Sequence, residues 1–232
     1  MRESRAYGRA VDLLDLVLPR RCAVCSRFGE LLCASCLSEL RPLTGPLCAR
    51  CGAPTAWPVA RCRECSGRRL AFASARAGVA YDDAASLFVG AWKERGLRLL
   101  AATAAELVAD ALPCPEGTIT FVPPDGDRSL KRGHHPAERL ARELGRLWEL
   151  PTAKLLVRKG AGERQRGLSL AARRKNVAGS FFPARRSPPA VILVDDVYTS
   201  GSTATAAASA LRKAGARVVE VVTFARAVRT GS

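Results

Sequence analysis

The stretch VILVDDVYTSGST, from Val191 to Thr203, joins an apolar run to two adjacent aspartates and then to a glycine surrounded by hydroxyl groups. Four consecutive apolar residues indicate a strand buried on both faces, as is typical of a parallel sheet. The residues that follow predict a tight turn, with Gly201 at positive φ, and a helix that begins at Ser202 or Thr203. The stretch therefore predicts a strand, turn and helix at the sheet edge where ligands bind.

The rest of the chain from about residue 75 alternates between strand-like and helix-like patterns. Strands are predicted in residues 75–81, 119–123, 153–158 and 217–225, and helices in 86–112, 136–150 and 202–215. Residues 86–112 are predicted to form either one helix or two helices separated at Gly96. Such alternation predicts an α/β fold in which helices cover both faces of a parallel sheet.

The chemistry of the turn indicates a ribose 5-phosphate ligand. Backbone N–H groups at a helix N-terminus bind anions, and the hydroxyls of Thr199, Ser200 and Thr203 add donors. Asp195 and Asp196, predicted at the carboxyl end of the strand, would repel a second phosphate but can each accept a hydrogen bond from one of two vicinal sugar hydroxyls. The alternative is that an acid and a serine merely cap the helix, which leaves one aspartate unexplained.

Eight of the nine cysteines lie within residues 22–65 as four CxxC pairs. Two CxxC turns supply the four sulfurs of one tetrahedral zinc site, so eight cysteines predict two structural zinc ions without an open position for chemistry. Consecutive pairing is favoured by the short gaps, and interleaved pairing stays open. The predicted ligands are Cys22, Cys25, Cys33, Cys36, Cys48, Cys51, Cys62 and Cys65.

Charge is distributed unevenly along a chain of net charge +16. Residues 128–186 hold 16 basic and 4 acidic residues, whereas residues 71–127 hold 4 basic and 8 acidic residues. The basic stretch favours a polyanionic partner, either a phosphorylated small molecule or nucleic acid, over a merely solvated arginine-rich surface. No apolar run is long enough to span a membrane and Asp12 and Asp15 interrupt the apolar N-terminal segment, so a cytoplasmic location is expected.

The Val191–Thr203 stretch resembles the motif with which type I phosphoribosyltransferases bind 5-phosphoribosyl 1-pyrophosphate. Together with the four CxxC pairs and the segments RGHHPAERLARELG and RQRGLSLAARRKNVAGSF, it makes nearly the whole chain similar to the ComF family of competence-associated proteins. The resemblance implies an N-terminal helix and double zinc-ribbon module in residues 1–70. It also implies a type I phosphoribosyltransferase-like domain, a parallel sheet with flanking helices, in residues 71–232.

The resemblance also implies roles for individual residues. Asp195 and Asp196 would hold the ribose hydroxyls, and Thr199, Ser200, Gly201, Ser202 and Thr203 would surround the 5-phosphate. The segment that faces pyrophosphate would include Arg128, Lys131, Arg132 and Gly133. Arg132 would be catalytic, as would the two aspartates, and magnesium would bind together with the ligand. Gln165, Leu168, Arg174 and Asn176 fall in a lid-like segment. His134 and His135 depart from the family pattern, so their role stays open.

Three hypotheses follow from these features. The first is an active phosphoribosyltransferase linked to DNA uptake, in which an unidentified acceptor attacks ribose C1 and displaces pyrophosphate. The second is a non-catalytic sensor of phosphoribosyl pyrophosphate that binds single-stranded DNA through its basic surface. The third is an adaptor whose zinc module docks onto proteins of the DNA uptake machinery.

Overall fold

The computed structural model of the protein describes residues 21–93, 95, 97–124, 135–158 and 179–228. The helices are α1 (Ala34–Glu39), α2 (Asp83–Lys93), α3 (Leu100–Ala111), α4 (Pro136–Leu147) and α5 (Ser202–Lys213). The strands are β1 (Ser74–Ala80), β2 (Thr118–Phe121), β3 (Leu156–Arg158), β4 (Phe181–Pro183), β5 (Ala190–Tyr198) and β6 (Val218–Arg226). Within these ranges, no helix has the length and apolar character needed to cross a bilayer.

Four strands form a fully parallel sheet in the order β1-β6-β5-β2. The central strand β5 is the one that contains the VILV run, and Val191, Ile192, Leu193 and Val194 are all buried. Its register places Val194 beside Phe121 of β2 on one side and beside Val222 of β6 on the other. The prediction of a central, fully apolar strand is confirmed.

Helices cover both faces of this sheet, as predicted. Ile192 and Val194 belong to one apolar cluster, which α2, α3 and α4 complete, whereas Val191 and Leu193 belong to a second cluster that includes the apolar side of α5. Because successive side chains of a strand point to opposite faces, these two clusters lie on opposite faces of the sheet. The α/β class with flanking helices is therefore confirmed.

Three details differ from the sequence-based expectations or refine them. The segment predicted as a sheet strand in residues 153–158 forms β3, which pairs antiparallel with β4 outside the main sheet. Residues 86–112 form two helices, with α2 ending at Lys93 and α3 starting at Leu100. Strand β5 continues through both aspartates to Tyr198, because β6 still pairs with it where β2 has ended.

The cysteine-rich segment packs along the outer edge of β1. The N–H of Leu43 donates to the carbonyl of Gly78 (3.3 Å), and the N–H of Ala80 donates to the carbonyl of Arg41 (2.9 Å). These bonds cover a strand edge that would otherwise present unpaired backbone groups. The two apolar clusters also take residues from both sides of position 70, where the domain boundary remains a prediction.

Candidate functional site

The two aspartates lie in the last part of β5, beyond the end of its partner β2. Asp195 and Asp196 are partly buried, and only β6 pairs with this part of the strand among the described residues. Within the described part of the chain, the carboxyl end of the central strand therefore lacks a strand partner on one side. This is the position at which parallel α/β sheets bind their ligands.

The two carboxyl groups have different partners. Asp196 Oδ2 lies 2.6 Å from the Nζ of Lys93 at the end of α2, and the backbone N–H of Asp196 donates to Asp195 Oδ1 at 2.9 Å. Burial, reinforced by the neighbouring charge of Asp196, raises the pKa of Asp195 to about 8, although Lys93 and Arg158 partly offset the shift. Lys93 thus balances the negative charge of Asp196, whereas the carboxyl group of Asp195 keeps its proton to a higher pH than an ordinary aspartate does.

Lys93 was not among the residues selected from the sequence. It is the basic residue in the last turn of α2, within a stretch in which acidic residues outnumber basic ones. A lysine at a helix C-terminus is ordinarily explained by the helix dipole. Its position beside Asp196 depends on how α2 packs on the sheet, which the local pattern does not reveal.

The turn after β5 has the predicted geometry. Gly201 has a φ of +69° and Ser202 begins α5. A Cβ atom on residue 201 would lie 2.3 Å from the hydroxyl oxygen of Tyr198, so glycine is required by space as well as by conformation. The chain therefore turns sharply enough for the first N–H groups of α5 to face the end of the sheet.

A small cavity of about 20 Å³ lies within this turn. The Oγ atoms of Ser200 and Ser202 are 2.9 Å apart beside it. Its lining includes Asp195, Val197, Tyr198, Thr199, Gly201, Ser202, Thr203, Ala204 and Thr223. The structure thus brings Asp195, Thr199, Gly201, Ser202 and Thr203 together, while Asp196 pairs with Lys93 and Ser200 contacts Ser202.

Other residues selected from the sequence lie outside the described residues. These are Arg128, Lys131, Arg132, Gly133 and His134 in one segment and Gln165, Leu168, Arg174 and Asn176 in another. Their assignments stay predictions.

His135 lies within the described residues and caps α4. Its Nδ1 accepts the backbone N–H of Glu138 at 3.2 Å, and its ring packs against Phe121 with centroids 5.5 Å apart. A capping side chain of this kind stabilises the start of a helix. The structure therefore gives His135 a structural contact that is independent of any ligand.

The first four cysteines converge on one point. The Sγ atoms of Cys22, Cys25, Cys33 and Cys36 all lie within 4.8 Å of one another, and those of Cys25 and Cys33 are 3.7 Å apart. Four Zn–S bonds of about 2.3 Å would separate the sulfurs by about 3.8 Å in a tetrahedron. We call this group the first tetrad, and its spacing fits a closed zinc site.

The other four cysteines form a second tetrad of the same kind. Its members are Cys48, Cys51, Cys62 and Cys65. The Sγ of Cys48 lies 3.7 Å from that of Cys65, and the Sγ atoms of Cys51 and Cys62 are 3.5 Å apart. Consecutive pairing of the CxxC turns is confirmed, and all eight cysteines are free of disulfides.

Backbone donors favour ionised sulfur at one cysteine of each tetrad, whereas burial raises the pKa of Cys36, Cys51 and Cys65. Burial opposes ionisation of the Cys48 thiol, but N–H groups that include those of Cys51 and Cys62 lower its pKa to about 6. Burial and neighbouring N–H groups act on Cys22 in the same way and lower its pKa to about 6. Thiolates this close together repel one another unless a cation neutralises them, which is what a zinc ion supplies.

Comparison with known proteins places the chain in a family. Residues 13–66 match the double zinc ribbon domain. The chain is 30% identical over 214 residues to Competence protein F of Haemophilus influenzae, an alignment that covers 84% of this chain and 90% of that protein. The chain belongs to the ComF family of competence proteins.

Further ComF-family relatives align over similar lengths. DNA utilization protein YhgH of Salmonella typhimurium is 29% identical over 228 residues, which is 89% of this chain and 96% of that protein. Competence protein ComFC of Bacillus subtilis is 25% identical over 199 residues and 80% of each chain.

Solved structures with partial similarity were also found. Glutamine phosphoribosylpyrophosphate amidotransferase from B. subtilis, complexed with ADP and GMP, aligns with 55% of this chain at 20% identity and a TM-score of 0.41. The allosteric regulatory enzyme of purine biosynthesis aligns with the same share at 21% identity and a TM-score of 0.40. This chain spans about a quarter of the length of each, since 26% of either chain is covered.

Proposed function

We propose that this ComF-family protein binds 5-phosphoribosyl 1-pyrophosphate together with magnesium at the carboxyl end of β5. The observation that carries the proposal is that one cavity at the start of α5 is lined by Asp195 and by the turn residues Thr199, Gly201, Ser202 and Thr203. The N–H groups of the turn and of α5 would bind the 5-phosphate. The hydroxyls of Thr199 and Thr203 are within the same lining and would complete the anion site.

The acidic pair would recognise the ribose. Each carboxylate can accept a hydrogen bond from one of the two vicinal hydroxyls. Lys93 keeps one negative charge of the pair balanced, so the site attracts a sugar diol without repelling the nearby phosphate as strongly as two free carboxylates would. Magnesium would bind together with the pyrophosphate, without a dedicated set of protein ligands, and would neutralise part of its negative charge.

The corresponding activity would be phosphoribosyl transfer in the cytoplasm. An acceptor nucleophile would form a bond to ribose C1 as the bond from C1 to the pyrophosphate oxygen breaks, and the pyrophosphate would leave with the electron pair. Asp195 and Asp196 would hold the ribose while charge develops on it, and Arg132 would face the departing pyrophosphate. The acceptor is left open by this proposal.

Calorimetric titration of phosphoribosyl pyrophosphate with magnesium tests the binding site. We expect the double substitution Asp195→Asn with Asp196→Asn to weaken binding by about a hundredfold, as the hydrogen bonds that the two carboxyl groups make to the ribose contribute roughly 1.5 kcal/mol each. Asp110→Asn, on the exposed side of α3, is the matched control and should bind like the wild type. Equal affinity in the double variant would rule out the ribose assignment.

A second candidate function is binding of single-stranded DNA by a protein that senses phosphoribosyl pyrophosphate without turning it over. The names of the relatives, which refer to competence and DNA utilization, and the basic stretch of residues 128–186 favour it. Lys154, Arg185 and Arg186 from this stretch are exposed. Release of pyrophosphate in the presence of a panel of acceptors would favour the enzyme, whereas tight ligand binding without release would favour the sensor.

A further inference from the structure

Arg226, the last residue of β6, is a charged side chain buried to 2% exposure between the second tetrad and β5. Its Nη1 donates to the carbonyl oxygen of Cys51 at 2.7 Å, and its Nη2 lies 2.9 Å from the Glu64 carboxylate and 3.8 Å from the Cys51 sulfur. A guanidinium that is removed from water needs such partners, since an unpaired buried charge is costly. Arg226 is thus held by groups of the cysteine-rich segment.

The same guanidinium also contacts β5. It lies over the ring of Tyr198, with 4.6 Å between its central carbon and the ring centroid, and the two residues are direct neighbours in the sheet register. Tyr198 is 5% exposed, and its hydroxyl end packs against Gly201, where a Cβ would clash with it. A continuous series of contacts therefore runs from Cys51 through Arg226 and Tyr198 to the turn.

We propose that Arg226 is a positioning residue through which the metal-loaded second tetrad holds the ribose-phosphate turn in its binding conformation. Four thiolates around one zinc ion carry a net double negative charge, and Arg226 faces that charge on one side and the electron-rich Tyr198 ring on the other. Loss of the metal, or of the guanidinium, frees Tyr198 to move away from Gly201. The role in ligand binding rests on the proposed function, whereas the mechanical link to the turn does not.

The test compares Arg226→Met and Arg226→Lys with a matched arginine. Arg76 also donates to the loop of the second tetrad, at the carbonyls of Cys48 (3.4 Å) and Ala49 (3.0 Å). Among the described residues, the side-chain hydrogen bonds of Arg76 end at Cys48, Ala49 and Ala75, so Arg76→Met is the control. Lysine keeps the charge of residue 226 but is a single point donor that cannot bridge Cys51 and Glu64 as the planar guanidinium does.

The first readout is hydrogen–deuterium exchange of the amides of residues 199–203 in ligand-free, zinc-loaded protein. We expect exchange about tenfold faster in Arg226→Met, a smaller increase in Arg226→Lys, and wild-type rates in Arg76→Met. Should Arg226→Met fail to fold, Glu64→Gln tests the same link more mildly, since Glu64 is the partly exposed partner of Arg226. Wild-type exchange rates of these amides in both Arg226→Met and Arg226→Lys would overturn the proposal. If Arg226→Met does not fold, wild-type rates in both Arg226→Lys and Glu64→Gln would do so.

The second readout is affinity for phosphoribosyl pyrophosphate, measured alongside zinc content. We expect about tenfold weaker binding in Arg226→Met with two zinc ions still bound, and wild-type binding in Arg76→Met. If the wild type itself does not bind this ligand, the proposed function fails and the exchange data alone decide the inference. Unchanged affinity together with unchanged exchange would overturn the inference while the proposed function stands.

Discussion

Replacement of Asp195 by asparagine should change how the stability of the ligand-free protein depends on pH. The folded-state pKa of Asp195 is about 8, well above its value of about 3.9 in an unfolded chain. The folded protein therefore binds the Asp195 proton more tightly than the unfolded chain does. The free energy of unfolding that this difference contributes is fully present below pH ~4 and is lost as the pH rises through ~8. Asparagine cannot ionise, and the variant does not suffer this loss.

The size of the effect follows from the shift. For one carboxyl group with these two pKa values, the stability lost between pH 6 and pH 8 is about 2 kcal/mol. A protein of this size changes its Tm by roughly 2–4 °C for each kcal/mol, so the Tm of the wild type should fall by about 4–8 °C relative to Asp195→Asn over that range. The interval avoids lower pH, at which protonation of the cysteine thiolates would release zinc.

Thermal unfolding of both proteins at a series of pH values, in buffer containing zinc, measures this difference. Asp196→Asn provides a second comparison, because the charge of Asp196 is one cause of the raised pKa of Asp195, and its removal should make the pH dependence shallower. Parallel Tm profiles for the wild type and Asp195→Asn would mean that Asp195 is ionised throughout, and would refute the argument from burial and charge.

Three further predictions concern the turn, the metal sites and nucleic acid. Gly201→Ala should destabilise the protein by at least about 1–2 kcal/mol in chemical unfolding, because its backbone is left-handed and Tyr198 occupies the space. Gly90→Ala in α2, where nothing beyond its chain neighbours and the adjacent backbone of the same helix lies within 4 Å of the added methyl, is the control and should be neutral or stabilising. Cys22→Ser should reduce bound zinc from two ions to about one by metal analysis and lower the Tm, and two ions in the variant would contradict the first tetrad. Affinity for a single-stranded oligonucleotide should fall at least about tenfold between roughly 50 and 200 mM salt, whereas a flat response would argue against binding by the basic surface.

Features encoded by neighbouring residues could be predicted from the sequence. The CxxC spacing predicts which side chains can share a metal, since two residues between the cysteines set the turn that brings their sulfurs together. In the same way, the apolar run before Asp195 predicts a buried central strand, and Gly201 predicts the left-handed turn before Ser202. In each case the chemistry and the geometry depend on a few consecutive residues.

Contacts between distant segments were not predictable in this way. The ion pair between Lys93 and Asp196 depends on the packing of α2, and the contacts of Arg226 with Cys51 depend on where the cysteine-rich segment meets the sheet. An arginine at the end of a strand has the sequence pattern of a solvated side chain, and a lysine at a helix end resembles a capping charge. Strand β3 was assigned to the wrong sheet for the same reason, because periodicity indicates a strand but not its partner.

The strand order has a consequence for the time course of folding during synthesis. Among the described strands, β1 hydrogen-bonds within the sheet only to β6, and β6 comes after all the others in the chain. A ribosome therefore completes the cysteine-rich segment and β1 long before it makes the strand that joins them to β5. Until β6 emerges, the early segments must stay soluble without a sheet to pack on, and bound zinc is the means by which they can do so. Insertion of the last strand into the middle of the sheet would then be the step that brings Arg226 to the second tetrad and makes the ligand site, all at once.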